Sequence, residues 1–235
     1  MCSRFLENRR ASSPVRARVA AFALLIAATL PILAHARDLR VCADPDNLPF
    51  SNTKQQGFEN RIAELAARDL HVQLQYEWQR MGRGFVRDFL NAGRCDLLIG
   101  IQALDEDYTP PATALARRGL QNEIVPFDST GDEADSIIRA VAKRQVDTAI
   151  VWGPLAGFYA RKFGNALQLT PVTPQVDPPN LPFTFSISMG VRKGNTALQH
   201  ELDNFLQRRR SDIRRILDQY GVPQLELAPS AEGGQ

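Results

Sequence analysis

Apolar residues recur along the chain with two different periods, and the alternation between them lays out the elements. Residues 39–43, Leu-Arg-Val-Cys-Ala, predict a first strand that ends at Asp44. A Pro-rich loop follows through Asn52. After Gly57, Phe58, Ile62, Leu65, Ala66 and Leu70 fall on one helical face. Val72, Leu74, Tyr76 and Trp78 then alternate with Gln73, Gln75 and Glu77, the period of a strand. Phe85, Val86, Phe89 and Leu90 predict a second helix, which Gly93 stops. Asp96-Leu-Leu-Ile-Gly100 reads as a short buried strand of a parallel sheet. The order is βαβαβ, half of a doubly wound α/β sheet.

A second unit begins near Ile101. Pro110 and Pro111 open a helix that runs through Leu115 and stops at Gly119. Strands are expected at residues 123–127, 146–152 and around Leu167, Leu169 and Val172, and helices at residues 134–144 and 153–164. Leu90-Asn-Ala-Gly-Arg-Cys-Asp96 matches Val141-Ala-Lys-Arg-Gln-Val-Asp147 as a weak internal repeat. Asp177-Pro-Pro-Asn180 is a rigid connector. Phe183, Phe185, Ile187, Met189 and Val191 alternate over nine residues, a long strand returning to the first unit. A final helix is expected over residues 196–220. Its inner face is Leu198, Leu202, Phe205, Leu206, Ile213, Ile216, Leu217 and Tyr220, and Gly221 and Pro223 end it. This gives lobe 1 at residues 37–100, lobe 2 at 101–180, a return strand and helix at 181–227, and a polar tail at 228–235.

The first 36 residues fall outside this pattern. Arg4, Arg9, Arg10, Arg16 and Arg18 precede an apolar run from Val19 to Ala34, and Ala34-His-Ala36 offers a small-x-small cleavage site. That is the layout of a cleavable secretory signal peptide, with a membrane anchor as the competing reading. Cleavage changes the charge. The whole chain is formally +2, with 28 basic and 26 acidic residues; without the leader's five Arg and one Glu, 23 and 25 remain. Nothing in that balance recommends nucleic acid or an anionic membrane as a partner. Cys42 and Cys95 remain as an even pair, compatible with a disulfide in an oxidising compartment or with two buried thiols in neighbouring strands.

Two lobes, an export signal and a returning strand suggest a periplasmic solute-binding protein. Gly57-Phe-Glu-Asn-Arg-Ile-Ala-Glu-Leu65 resembles the signature of the amino-acid-type solute-binding family, with Asn60 and Arg61 where an aliphatic and an acid are usual. Further stretches are similar to the MxaJ/XoxJ-like, quinoprotein-dehydrogenase-associated proteins of methanol oxidation. They are Leu39-Arg-Val-Cys-Ala-Asp-Pro-Asp-Asn-Leu-Pro-Phe-Ser-Asn52, Gly84-Phe-Val-Arg87, Leu90 to Asp96, Val151-Trp-Gly-Pro-Leu-Ala-Gly157, Leu181-Pro-Phe183 and Ile187-Ser-Met-Gly190. The resemblance implies a type II periplasmic binding fold and an accessory of a PQQ-dependent methanol or alcohol dehydrogenase, acting in its maturation or activation. It also marks a departure. After Gly100 such proteins continue for several tens of residues, whereas here residues 101–111 already match the start of the second lobe, so the first lobe is shortened.

Candidate sites follow from strand ends and charge. Asp44, Asn47, Phe50, Trp152 and Gly153 are candidates for lining the mouth between lobes; loop and turn duty is the plainer role for the Asp and Asn. An EF-type calcium loop is excluded, because the twelfth position from Asp44 is Gln55. His71 and His200 lie far apart, so no metal site is expected. No nucleophile with a partner and no phosphate-cradling Gly motif is found, so no catalytic residue and no cofactor is assigned. Arg208, Arg209, Arg214 and Arg215, with Arg210, crowd the last helix among Asp203, Asp212 and Asp218. They read as solvated helix pairs or as a docking face for an acidic partner. The leading expectation is a binding accessory whose partner is the dehydrogenase. A transporter's substrate-binding component is the alternative, and a dehydratase on the same fold ranks third.

Overall fold

The first strand is central because both its faces are covered. β1 (Asp38–Ala43) buries Leu39 and Val41 on one side and Cys42 on the other. The computed structural model describes residues 37–82, 84–102, 110–128 and 131–225. Within them β1 pairs in parallel with β4 (Gln73–Trp78), from Asp38 opposite Gln73 to Ala43 opposite Trp78. On its other side it pairs in parallel with β5 (Leu97–Gln102), Val41 opposite Leu97. β8 (Ile187–Val191) returns antiparallel to β5, Leu97 opposite Val191, giving the order β4-β1-β5-β8.

Three helices cover one face. α1 (Phe58–Asp69) connects β1 to β4 and buries Phe58, Ile62, Ala63 and Ala66. α5 (Thr196–Arg208) adds Leu198, Leu202 and Phe205, the last with no exposed surface. α6 (Arg210–Tyr220) seals the margin with Ile213, Ile216, Leu217 and Tyr220. The expected single helix over 196–220 is thus two. The break is at Arg209 (φ −104°, ψ 14°), whose guanidinium reaches back to Asp69 at the end of α1.

The opposite face carries a smaller cluster of Cys42, Phe85, Phe89, Leu90, Cys95 and Leu98. The expected second helix is a π-helix, Val86–Asn91. Its wider turn aligns Phe85, Phe89 and Leu90 on one side, and past Gly93 (φ +76°) the Arg94 N–H bonds back to the Phe89 carbonyl (2.9 Å) and closes the helix end. Cys42 and Cys95 are joined by a disulfide within this cluster, with Cα atoms 5.5 Å apart.

Residues 110–185 depart furthest from the pattern. α2 (Pro110–Arg117), α3 (Ser136–Ala142) and α4 (Gly153–Ala160) form where helices are expected. A 3-10 turn, Arg161–Ala166, extends α4. The strands expected at 123–127, 146–152 and 167–172 are not strands. Val125, Ile150, Leu169 and Val172 are exposed. Pro126 and Pro171 remove the N–H groups a ladder needs, and no neighbour among the described residues offers pairing. Asp147 therefore opens no strand, and the repeat with Asp96 ends there. The expected nine-residue return strand is ordered as a strand only over Ile187–Val191. The Pro connector is a small hairpin, β6 (Val176–Asp177) with β7 (Leu181–Pro182). Asp177 is buried and paired with Arg118.

A third cluster of Ala134, Ile138, Leu155, Tyr159 and Ala160 holds these helices together. From Arg37 onward the chain is one compact unit. α4 meets the end of α6 backbone to backbone, since a Cβ at Gly157 would overlap the Gly221 carbonyl oxygen. The expected signal peptide and the polar tail lie outside the described residues.

Candidate functional site

β1 leads through α1 to β4 on one side, and β4 leads through the π-helix to β5 on the other. The winding therefore reverses between β1 and β5, and the crevice for ligands in such sheets lies beyond the carboxyl ends of those strands. Asp44 leaves β1 at that point and is buried. One carboxylate oxygen accepts the Asp46 N–H (2.9 Å), an Asx turn, and the other accepts the Met81 N–H (2.7 Å). Its own N–H donates to Ser51 Oγ (3.1 Å), whose hydroxyl donates back to the Asp44 carbonyl (2.9 Å). These bonds fold residues 44–52 into a tight hairpin, β2 (Asp46–Asn47) against β3 (Ser51–Asn52). Asn47 sits in it, its carbonyl accepting the Phe50 N–H (2.8 Å).

The hairpin is bolted to the start of α1. The Phe58 and Glu59 N–H groups donate to the Pro49 and Phe50 carbonyls (2.8 and 2.9 Å). Asn60 Oδ1 accepts from the Gly57 and Asn52 N–H groups (3.0 and 3.2 Å), a capping arrangement at the helix start. The orphan donors of Gly57, Phe58 and Glu59 at the helix N-terminus are thus met by the protein itself.

Two residues of this site were not singled out from the sequence. Glu59 is 6 % exposed, and burial, with the nearby charge of Asp44, pushes its carboxyl up to about 8. Its carboxyl lies against Gly100, where a Cβ would collide with it and where φ is +80°. Asn60 has no exposed surface, and its Nδ2 has no hydrogen-bond partner among the described residues. Glu59 carried no signal, since an acid in the first turn of a helix is ordinary. Asn60 carried a signal as the departure from the aliphatic usual in the signature.

Phe50 bridges the clusters, its ring 5.2 Å from that of Phe58. Trp152 precedes α4 and stacks obliquely on Phe185 (5.7 Å), and Gly153 begins the helix against Pro223. Asp44, Asn47 and Phe50 therefore share one loop, while Trp152 and Gly153 belong to α4. The two meet through the third cluster, on which Phe50 and Trp152 both pack, and through the Tyr159 hydroxyl donating to the Leu48 carbonyl (3.1 Å). Tyr220 closes the remaining side. Its hydroxyl donates to the Gln56 carbonyl (2.6 Å), and its ring lies 5.9 Å from both Phe58 and Phe158.

The arginines divide. Arg208 and Arg209 converge on Asp69 (2.5 and 2.7 Å) and hold its carboxyl below the usual range. Arg215 pairs with Asp212 (3.0 Å). Arg210 and Arg214 are exposed and have no acidic partner among the described residues. No group of His, Cys, Asp or Glu among the described residues is arranged to hold a metal ion, and no described helix is long and apolar enough to cross a membrane.

A parallel sheet closed by an antiparallel return strand, with its reversal point between the first and third strands, defines a periplasmic binding protein of type II. The chain is 30% identical to the periplasmic binding protein XoxJ from Methylobacterium extorquens AM1, covering 80% of this chain and all of that one, with a TM-score of 0.63. It belongs to the MxaJ/XoxJ-like periplasmic binding proteins. It is 27% identical over 267 residues to the protein MoxJ of Paracoccus denitrificans, spanning 89% of this chain and 96% of that relative. That alignment is longer than the 235-residue chain, so it opens gaps in this sequence. MxaJ from Methlophaga aminisulfidivorans MPT, at 21% identity, 80% of this chain and all of that one, shares the fold with a TM-score of 0.67. No family model matches the chain.

Proposed function

We propose that the protein acts in the periplasm, after removal of its signal peptide, as an accessory of a PQQ-dependent methanol or alcohol dehydrogenase. It works by protein–protein contact in the maturation or activation of that enzyme and needs no cofactor of its own. Residues 37–100 with 181–227 make a shortened first lobe and residues 101–180 the second. The observation that supports this reading is that Phe50, Phe58, Phe158, Tyr159 and Tyr220 pack beside the hairpin that follows β1, which backbone bonds hold to α1. We read this cluster as filling the mouth beyond β1 and β5. A solute receptor presents a concave, largely pre-formed site there, whereas this mouth presents a rigid outer surface. Asp46, exposed on the hairpin, and the Arg208, Arg209, Arg214 and Arg215 face of α5 and α6 are the docking candidates.

The test is calorimetric titration of the exported chain with the host's methanol dehydrogenase. Saturable binding is expected, and Arg210→Glu with Arg214→Glu weakens it about tenfold if the basic face meets an acidic one. A folded protein that gives no heat overturns the proposal. A transporter's substrate-binding component is the second reading, favoured by the Asp44–Glu59 acid pair, against which no cation stands among the described residues. A solute-dependent rise in melting temperature without a response to the dehydrogenase puts that reading first.

A further inference from the structure

β5 continues past its pairing with β1 through a bulge. Among the described residues β1 pairs with β5 at Leu97 and Leu98 and no further. Beyond them β5 bonds to β8 alone, and the register of that ladder shifts between Leu98 and Ile101. Leu97 and Ile99 face the helices, and strict alternation would send Ile101 there too. Ile101 packs instead on the opposite cluster, with Cys42, Leu90 and Leu98, because the bulge inserts one residue. Gly100 (φ +80°) lies within it, and the Glu59 carboxyl is seated on it: a Cβ there would lie 2.0 Å from Oε1. Glu59 has little around it to hold a charge. Both carboxylate oxygens of Asp44 are taken by N–H groups, of Asp46 and Met81 (2.9 and 2.7 Å), and its charge opposes a second carboxylate. Tyr76 faces Glu59 from β4, but its hydroxyl donates to the Asn60 carbonyl (3.4 Å). On α1 itself Arg61 is paired with Glu64 (3.3 Å). Among the described residues no titratable group acts on Glu59 from β3, β5, α5 or α6.

We propose that Glu59 and the Gly100 bulge form a proton-operated latch: loss of the Glu59 proton frees Ile101 and Gln102 at the end of β5, with their partners Ser188 and Ile187 on β8, while the rest of the sheet stays paired. A buried carboxylate needs water or donors, and the closed bulge supplies neither. Opening at Gly100 admits water at the cost of two residue pairs with an edge strand. Opening on the α1 side would instead expose Phe58, Ile62 and the main core, so the bulge is the lower-energy route. The closed form keeps its proton up to about pH 8, whereas an opened Glu59 titrates as an ordinary carboxyl near 4.5. One proton separates the two forms, so between those values the opening equilibrium rises about tenfold per pH unit, and above them it is level.

The experiment is native-state hydrogen exchange of the exported chain across this pH range, with and without a low concentration of urea. Rates are expressed as protection factors, which removes the intrinsic pH dependence of exchange. The amides of residues 101, 102, 187 and 188 that bond across the ladder are expected to lose about tenfold in protection per pH unit. They should do so without responding to urea, because a local opening exposes little surface. The amides of Leu39 and Val41 should stay better protected and should respond to urea, since they exchange through global unfolding. Glu59→Gln, which keeps the shape of the protonated acid, is expected to abolish the slope at residues 101, 102, 187 and 188. Protection there that does not change with pH overturns the proposal, and so does an equal slope in Glu59→Gln. If that variant does not fold, the parent decides: a slope that is urea-insensitive and confined to these residues supports the latch. A slope that appears only in step with Leu39 and Val41 overturns it, since Glu59 then titrates only when the whole fold opens.

Discussion

Glu59 faces Asp44 and Gly100 from the first turn of α1, with no positive charge against it among the described residues. Its folded pKa lies well above the unfolded value, so the folded state holds its proton while the unfolded state releases it. Stability is therefore fully present below about pH 4.5, falls as pH rises towards 8, and levels off above, where both states are ionised. The total loss is on the order of 3–5 kcal/mol. Glu59→Gln keeps the shape without the titration and is expected to flatten this slope; denaturant melts at pH 5 and pH 8 measure it, and an unchanged slope rules out the buried acid as its source. The loop residues Asp44, Asn47 and Phe50 were readable because Asp and Asn at a strand end announce turn chemistry. Glu59 was not, because a single acid near the start of a helix reads as a favourable partner of the helix dipole. Only the approach of Gly100, 41 positions later, buries it.

At the scale of elements, α1 is held to the α5–α6 junction by Asp69 between Arg208 and Arg209. The sequence presented those arginines as a surface stripe, since nothing local says that Asp69 lies beside residues 139 and 140 positions further on. Asp69→Asn is expected to lower the melting temperature by a few degrees at pH 7. The carboxyl is depressed in the folded state, so the contribution is present above the unfolded pKa and disappears as pH falls through the folded one. The gap between the mutant and the parent should therefore begin to narrow only as pH falls below about 4, and close beneath the depressed folded value. Melting curves at the two pH values decide it, and a difference that persists in acid would assign the loss to packing. Among the described residues the periodic pattern located the α-helices, with α5 and α6 read as one, and all four strands of the main sheet, because those elements bury one face and the period survives. It failed at 123–127, 146–152 and 167–172. Those segments have the composition of strands, but strand formation depends on a neighbour to bond with, which composition does not record.

For the whole molecule, the disulfide ties the end of β1 to the turn before β5, closing a loop across 53 residues. Both cysteines are almost wholly buried, so reduction requires opening the fold. Replacing both with Ala is expected to cost about 4 kcal/mol by the loop-entropy relation, read as a lower urea midpoint. An unchanged midpoint would show that the cluster of Phe85, Phe89 and Leu90 suffices alone. The general architecture could be taken from the sequence because the order of elements is that of a doubly wound sheet. The filled mouth could not, since it brings Phe50, Phe158 and Tyr220 together from three distant parts of the chain. The placement of α5 has a consequence for how the protein is made. Leu39 and Val41 are among the first residues of the fold to leave the ribosome, yet Leu198, Leu202 and Phe205, which cover them, are synthesised more than 150 residues later. A growing chain that stops short of α5 has that side of its sheet covered by α1 alone, and its return strand has barely arrived. The fold is completed only by α5 and α6, so the polypeptide stays open, and able to be threaded, until those helices are made.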